Sequence, residues 1–304
     1  MVTIFALRRA GLALLSLLAA SSLRAGHRGV NVSIDEGRDP RRCDQIAVTI
    51  DGREAERAEQ RLTLAADPRR PLHVAVPEHS GARVRGTDRE DYEVLVCKAA
   101  ASRAALERIA VSEAGGELTI AGPQDDTWLG YLLISAPRRA ALNLTATDGP
   151  VKLSGLSGRI TVRSQNGPIQ ISDSSGEIDA EAENGPIAFR GEGGRLRLRT
   201  QNGPIGVALS GAAWRGEGLD ARAVNGPVRL AIPADYRSGA VVESLGRSPF
   251  QCRGPACSTA RRSWDEEDHR RFELGEGPAV VRLSTQNGPV SISSEEGTEV
   301  DEED

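Results

Sequence analysis

Three carboxylates at alternate positions, Glu177, Asp179 and Glu181, have the spacing in this sequence that best suits catalysis. Alternate side chains of a strand lie on one face about 6.7 Å apart, and carboxylate pairs near this separation cleave glycosidic bonds. Arginine, however, occupies the positions 18 residues before Glu177 and Glu181 and 18 residues after all three. Arginines on neighbouring strands keep carboxylates ionised, whereas a general acid needs a raised pKa. The sequence therefore favours a structural row of charges, and we predict no catalytic residue.

The remaining residues that could bind metals or cofactors form weaker patterns. The acidic run Asp265–Asp268 precedes His269, but such a run is more typical of a solvated loop. Calcium β-rolls carry Gly-Gly-x-Gly-x-Asp in their turns, whereas the turns here contain Ser-Gln-Asn-Gly-Pro or Asp-Ser-Ser-Gly. His27, His73 and His79 are scattered, and no glycine-rich phosphate loop precedes a helix. We therefore predict no metal and no cofactor, and the net charge of −5 indicates no nucleic-acid surface.

The cysteines indicate an oxidising compartment. There are four of them, at Cys43, Cys97, Cys252 and Cys257, and they allow three pairings. Cys252 and Cys257 enclose a short Arg-Gly-Pro-Ala loop, which favours a bridge between them and leaves Cys43 to pair with Cys97. A zinc site is the alternative, but it needs further ligands, and only His269 lies near Cys257 in the sequence.

Residues 1–25 have the pattern of a signal peptide. Arg8 and Arg9 precede the apolar stretch Ala10–Ala20, and small residues follow with a plausible cleavage point after Ser22 or Ala25. The apolar stretch is too short to span a bilayer as a helix, and no other segment is long enough. We therefore predict export to the periplasm, the cell surface or the medium, with no transmembrane span after cleavage.

A repeated motif, Asn-Gly-Pro-Ile/Val, predicts the strands that must position the carboxylates discussed above. Between residues 149 and 203 a glycine recurs every nine residues, and small or apolar residues stand two and four positions after each glycine. Side chains two apart share one face of a strand, so each nonapeptide predicts one short strand with a buried face. The motif begins at Asn166, Asn184, Asn202, Asn225 and Asn287, and a variant begins at Asp148.

Two nonapeptides make an 18-residue coil of two strands, and stacked coils make a parallel β-solenoid of the β-helix or β-roll type. Asn-Gly suits the corners because both residues tolerate positive φ. We expect the equivalent Asn side chains to stack as an amide ladder. A single coil buries too little apolar surface to offset the entropy of ordering its backbone, so only the array is stable.

The repeat divides the chain into four predicted segments. The signal peptide 1–25 is followed by an irregular β-rich region, 26–135, which is either a small β-sandwich or a cap for the array. The solenoid occupies 136–293, with an interruption at 233–277 that contains a candidate strand, Ala240–Glu243, and a bridged loop projecting from the stack. Residues 294–304 are predicted to be an acidic, disordered tail.

The two outer faces of the predicted solenoid differ in charge. On one sheet, arginine rows flank the acidic row 177–181, which pairs opposite charges between coils. On the other sheet the outward positions are mostly neutral, and we predict binding residues among them for a glycan, a protein or the 233–277 segment. An ordinary solvated sheet is the alternative. The predicted binding residues are Lys152, Gln170, Arg229 and Ser291, which alternate with Ala188 and Gly206 in the same row.

Four sequence features together resemble the bacterial putative-adhesin family over about residues 80–295. They are the Asn-Gly-Pro-Ile/Val repeat, Leu118–Ile120, Ser135–Pro137 and Ala231–Asp235. The resemblance implies a β-solenoid, export and attachment to surfaces or envelope polymers, and it brings no catalytic residues. We therefore predict an exported, non-enzymatic structural and binding protein. A carbohydrate-active enzyme on the same scaffold and an envelope scaffold that self-assembles through strand edges are the alternatives.

Overall fold

A computed structural model of the chain describes residues 30–34, 40–67, 69–124, 128–246, 248–264 and 269–295. These residues form an all-β protein with one short α-helix, α1 (Arg103–Glu107). The predicted signal peptide and the acidic run Asp265–Asp268 lie outside the described residues. The predicted tail does so from residue 296 onward, whereas Ser294 and Glu295 belong to the last strand.

The strands are numbered in chain order. The first ten precede the repeat region and are β1 (Val30–Ile34), β2 (Ile46–Ile50), β3 (Arg53–Glu54), β4 (Glu56–Ala65), β5 (Leu72–Val76), β6 (Gly81–Thr87), β7 (Asp91–Ala100), β8 (Ala110–Ala114), β9 (Glu117–Ala121) and β10 (Trp128–Pro137). The next ten are β11 (Leu142–Ala146), β12 (Val151–Ser154), β13 (Arg159–Ser164), β14 (Ile169–Ser172), β15 (Glu177–Ala182), β16 (Ile187–Gly191), β17 (Gly193–Asn202), β18 (Ile205–Leu209), β19 (Arg215–Asn225) and β20 (Val228–Pro233). The last six are β21 (Ser238–Ser244), β22 (Phe250–Arg253), β23 (Arg261–Trp264), β24 (Arg270–Leu274), β25 (Glu276–Asn287) and β26 (Val290–Glu295).

Two large sheets and one small sheet contain all of these strands. Sheet I has 11 strands in the order β22-β26-β20-β18-β16-β14-β12-β6-β10-β7-β4, and sheet II has 12 in the order β23-β24-β21-β25-β19-β17-β15-β13-β11-β5-β9-β8. The small sheet consists of β1, β2 and β3. Both large sheets are mixed, since antiparallel pairs such as β4–β7 and β23–β24 occur near their ends. Both of these antiparallel pairs lie outside the residues predicted to form parallel coils, one in the region 26–135 and the other in the interruption 233–277.

In the middle of both sheets the strands pair in parallel with the register that the repeat predicts. Ile169 lies opposite Ile187, and Ile187 lies opposite Ile205, so successive partners are 18 residues apart. All three side chains are buried, with at most 1% of their surface exposed. The predicted 18-residue offset is confirmed for these strands, and the inward residues of both sheets join one continuous apolar cluster.

The repeated glycines are needed for a different reason from the one predicted. Gly167, Gly185 and Gly203, all in the described part of the chain, do not have positive φ. A Cβ added to Gly185 would lie 2.4 Å from the carbonyl oxygen of Gly167, and one added to Gly203 would lie 2.3 Å from that of Gly185. The backbone of one coil thus occupies the space that a side chain on the next coil would need.

The strands before the repeat continue the two large sheets. β6 pairs in parallel with β12, and β5 pairs in parallel with β11. The region 56–137 therefore extends the array and does not form a separate sandwich. The small sheet packs on the outer face of sheet I through a second apolar cluster, which includes Ile46, Val48 and Leu133. A disulfide between Cys43 and Cys97 joins the two layers.

The interruption 233–277 is part of the array. β21 and β22 pair in parallel with β25 and β26, and β24 pairs antiparallel with β21. The predicted strand Ala240–Glu243 is confirmed within β21. In the bridged loop, which was predicted to project from the stack, Gly254 and Pro255 are exposed, whereas Cys257 is buried and the amide of Ala256 donates to Ser294 Oγ at 3.4 Å.

Candidate functional site

The corner of each repeat carries a row of hydrogen-bonded side chains. Asn166 Nδ2 donates to Asp148 Oδ1 at 2.7 Å, and Asn184 Nδ2 donates to Asn166 Oδ1 at 3.1 Å. The row continues in the same direction through the three remaining positions, at 2.9, 3.0 and 2.9 Å. These are Asn202, Asn225 and Asn287. Asp148 only accepts in this row, which explains why a carboxylate can replace the amide there.

The outer face of sheet II between β13 and β17 carries ion pairs between neighbouring strands. We call this surface the charged face. Glu177 accepts from Arg159 Nε at 3.0 Å and from Arg195 Nη1 at 3.2 Å. Glu181 pairs with Arg163. Glu177 and Glu181 therefore lie exposed between arginines of the two neighbouring strands, and Asp179 lies between Thr161 and Arg197. This arrangement supports a structural role for the three carboxylates.

A shallow recess of about 270 Å³ interrupts the charged face where Gly218 lies opposite Arg195. Asp179 and Asp220 line it together with Arg282. Asp179 Oδ1 is buried and has no hydrogen-bond partner, while its Oδ2 lies 3.9 Å from Arg197 Nη1. The recess exists because glycine leaves a gap in the row of long side chains, and it contains both signs of charge.

The four predicted binding residues lie in one row on the outer face of sheet I. In-register pairs connect Lys152 to Gln170, and Arg229 to Ser291. Ala188 and Gly206 fill the two positions between Gln170 and Arg229. With strands about 4.8 Å apart, the four steps from Lys152 to Arg229 span about 19 Å. The structure therefore brings these residues, with Ser291 one strand beyond Arg229, into one row across six strands.

A second row runs beside the first, and the sequence interpretation missed it. Its members stand two residues after those of the first row and share their outward direction. They are Ser154, Ser172, Arg190, Ala208, Ala231 and Ser293, with Arg253 two residues after Gln251 on β22. Arg190, Arg229 and Arg253 are exposed. The period-two spacing from Gln170 and Ala188 was the signal that could have found this row.

We call these two rows the strip. Prolines border it, because the residue before each of these strands is Pro150, Pro168, Pro186, Pro204, Pro227, Pro289 or Pro249. Among the described outward side chains of β12, β14, β16, β18, β20 and β22, none is a carboxylate. Most are small, so the strip is flat, and its charged groups are cations only. This differs from the charged face, where carboxylates and arginines alternate.

The two predicted disulfides are confirmed. Cys43–Cys97 attaches the small sheet to β7, and Cys252–Cys257 closes the loop after β22. Within the described residues, no three His, Cys, Asp or Glu side chains come together as a metal site requires. In the same residues, no helix has the length and apolar character needed to cross a bilayer.

A small apolar cavity of about 240 Å³ lies beside the Cys43–Cys97 bridge, between the small sheet and sheet I. Ile46, Val48 and Leu129 line it. Lys98 stands at its rim, where burial lowers the pKa of the ammonium group, and its Nζ donates to Gln60 Oε1 and to the carbonyl of Ile109. The cavity is smaller than the roughly 300–1,000 Å³ of most ligand pockets.

Comparison with protein-family models gives no match, and comparison with curated proteins gives none either. Several solved structures are similar. A putative cell adhesion protein from Clostridium sporogenes has 10% identity and a TM-score of 0.32 over 78% of this chain and 100% of its own. A putative lipid binding protein from Parabacteroides distasonis has 9% identity and a TM-score of 0.31 over 79% and 96%. A putative adhesin from Bacteroides fragilis has 10% identity and a TM-score of 0.26 over 79% and 97%. Similarity at this level does not establish a family or a function.

Proposed function

We propose that this chain is an exported, non-enzymatic binding protein whose strip holds an extended ligand of the cell envelope, either a glycan or a protein segment. The observation that carries the proposal is the contrast between the two outer faces. On the charged face, carboxylates and arginines pair with each other. Among its described residues the strip has no carboxylate. Arg253 donates to Gln251 Oε1 at 3.3 Å, whereas exposed Arg190 and Arg229 and the serine hydroxyls lie on a flat surface where they can donate to an acceptor-rich ligand.

We also propose that residues 142–295 form a β-solenoid with 18-residue coils. The in-register pairing of Ile169, Ile187 and Ile205 supports this description, as does the amide row at the corners. A rigid array suits the proposed function because its surface groups repeat at the strand spacing of about 4.8 Å. A long ligand lying along the stack makes many weak contacts at once, and their combined affinity exceeds that of any single contact.

Two features support the cellular location within this proposal. Disulfides persist in oxidising compartments, which include the periplasm and the cell exterior, and both bridges of this chain staple irregular ends of the array. The pattern of residues 1–25 indicates export. The proposed ligand is accordingly a polymer or protein of the envelope.

One edge strand of each large sheet, β4 in sheet I and β23 in sheet II, argues against the alternative of an open-ended self-assembling scaffold. β4 carries alternating charges on its exposed half, including Glu56, Arg57 and Glu59, and β23 exposes Arg261 and Arg262. Charged edge strands discourage pairing with another chain. We therefore expect no open-ended polymers of the native protein.

The test is retention of the purified chain on isolated envelope polysaccharide and on envelope protein, in separate arms. The double variant Arg190→Ser with Arg229→Ser should bind about tenfold more weakly, because each lost charge-assisted hydrogen bond is worth about 1.5–3 kcal/mol at most and exposure reduces this. Arg199→Ser removes an exposed arginine from the charged face and is the matched control. Binding to neither fraction, or equal loss in both variants, contradicts the proposal. Release of sugar from the polysaccharide favours the enzyme alternative, and Glu177→Ala, Asp179→Ala and Glu181→Ala then test it.

A further inference from the structure

The last coil of the array is out of sequence order. After β19 and β20, the chain continues into β21 and β22, but these strands do not lie next to β19 and β20. Instead, β25 lies between β19 and β21 in sheet II, and β26 lies between β20 and β22 in sheet I. The chain therefore leaves one coil position open, builds the next coil and its cap, and then returns to fill the gap with residues 276–295.

The inserted coil, Glu276–Glu295, uses both of its edges. Val281 lies opposite Leu219 on one side and Ala240 on the other, and Leu283 likewise contacts both neighbouring strands in register. Both side chains are at most 1% exposed. The gap between the two neighbouring coils is thus a groove with hydrogen-bonding edges on both sides and an apolar floor.

The groove also matches the side chains of this particular segment. Thr285 Oγ1 donates to the carbonyl of Gly226 at 2.8 Å, and the amide of Gly226 donates to the carbonyl of Asn287 at 3.1 Å. Asn287 Nδ2 extends the corner row by donating to Asn225 Oδ1 at 2.9 Å. These contacts fix the register of the inserted coil, and a second copy of the chain carries the same Thr285 and Asn287 with which to make them.

The coil is connected to the preceding cap by a minimal link. Only Gly275 separates β24 from β25, and the link passes around the start of β21, where a Cβ on Gly275 would lie 2.2 Å from the carbonyl oxygen of Ser238. Gly275 and Gly277 both have positive φ, at 69° and 78°. Residues 276–295 can therefore leave the groove through rotation at these two glycines, because within the described residues this coil is linked to a neighbour at one end only, whereas each coil further inside the array is linked at both ends.

We propose that this groove is a self-recognition site, which accepts the inserted coil of a second copy of this chain as well as its own. The same contacts form in either case, so exchange costs no interface energy. At low protein concentration a chain inserts its own coil, because the effective concentration of that coil at the groove exceeds the concentration of other copies. Exchange between copies increases with protein concentration. The product is a closed pair of chains, unlike the open-ended polymers that bare strand edges would form. This inference is independent of the proposed function.

The test uses cysteines on register partners, placed in separate copies of the full chain. Arg222 on β19 lies opposite Ser284 on β25, and parallel partners about 4.8 Å apart are within the usual Cα separation of a disulfide. One copy carries Arg222→Cys and the other Ser284→Cys. The control copies carry Arg163→Cys and Glu181→Cys, which are partners on β13 and β15 inside the array. The copies are mixed at rising concentration, unfolded and refolded, and crosslinks are mapped by mass spectrometry of peptides.

We expect the 222–284 crosslink between copies to exceed the 163–181 crosslink by about tenfold or more at high concentration, since only the inserted coil exchanges without unstacking its neighbours. A single chain with both Arg222→Cys and Ser284→Cys should form the bridge internally and then give no dimer. If the internal bridge forms but separate copies crosslink no more than the control pair, the proposal is overturned. If the internal bridge does not form, the coil is not inserted beside β19, and the proposal fails at its first step.

Discussion

The charged face and the strip are built on the same backbone and the same core, yet their outward residues follow different rules. On the charged face, Arg159, Glu177 and Arg195 occupy one line across three strands and neutralise one another. On the strip, the corresponding line through Gln170, Ala188 and Gly206 contains no charge. Packing in the core therefore does not constrain the outward side chains, and the two faces can carry different residues.

The difference suggests a division of tasks. Ion pairs between coils contribute little stability at the surface, but a slip by one coil position brings like charges together, so the charged face specifies register. The described residues of the strip show no such alternation of opposite charges. Its flat, cationic and hydroxyl-bearing surface is suited to an external partner.

The largest expected effect concerns the core that both faces share. Ile187→Ala removes a side chain that is 1% exposed, and the resulting cavity should lower the free energy of unfolding by roughly 2–5 kcal/mol. Ala188→Ser, one residue later on the strip, should change it by less than about 0.5 kcal/mol. Denaturant titration measures both. Equal effects of the two changes would show that the inward and outward assignments are incorrect.

The amide row at the corners gives the next effect. Asn184→Asp keeps the acceptor for Asn202 but loses the donor to Asn166, and two facing oxygens should cost about 1–2 kcal/mol. Asp148→Asn is the matched control, because Asp148 only accepts from Asn166 and an amide oxygen accepts equally well. Thermal unfolding compares the two variants. A larger loss from Asp148→Asn would contradict the direction of the row.

Charge reversal separates the two faces directly. Glu177→Arg places a cation between Arg159 and Arg195, which should destabilise the protein by about 1 kcal/mol at low salt and less at high salt. Ala188→Arg adds a cation to the strip between neutral Gln170 and Gly206, with Arg190 about 6.7 Å away along the same strand, so its cost and its salt dependence should be smaller than those of Glu177→Arg. Unfolding midpoints at two ionic strengths provide the measurement. Equal changes of the two unfolding midpoints with ionic strength would contradict the division of tasks between the charged face and the strip.

The smallest effect concerns the cap strand β23. A hydrogen bond from Arg271, followed by one from Arg261, lowers the pKa of the Glu273 carboxyl below its ordinary value. A lowered pKa stabilises the folded state above the ordinary carboxyl pKa of about 4.3, and this contribution is lost as the pH falls through the lower, folded-state value. We expect amide exchange in β23 to accelerate, relative to reference peptides, as the pH is lowered below the ordinary carboxyl pKa. Glu273→Gln should remove that pH dependence, and a persistent dependence in this variant would assign it to another group.

Much of the middle of the molecule could be predicted from the sequence because the period of the repeat determines the register. The pairs of Ile169 with Ile187 and of Cys252 with Cys257 follow from spacing alone. The order in which the coils stack does not follow from spacing. Val281 and Leu283 have the same phase as Leu219 and Ala221, so the periodicity fits a coil at any level of the stack, and only the coordinates show that it is inserted before β21.

The ends of the array and the composition of the strip were harder to predict, for physical reasons. β4 and β7 pair antiparallel, with contacts set by side chains that have no repeat. The small sheet covers Leu133 through packing between distant segments, which local patterns do not encode. The predicted binding row contains one outward residue per strand and therefore does not include Arg190. A strand of four or five residues, such as β16, has two outward residues.

The most direct test of the account asks which face meets the ligand. Gln170 on the strip and Thr161 on the charged face are half-buried outward residues of β14 and β13, which follow each other in the chain but belong to different sheets. Gln170→Cys and Thr161→Cys can each be conjugated to a bulky polymer through maleimide. Retention on envelope material is then compared with that of the unmodified chain. The account predicts that the conjugate at residue 170 loses binding while the conjugate at residue 161 retains it. Loss at residue 161 with retention at residue 170 would contradict it.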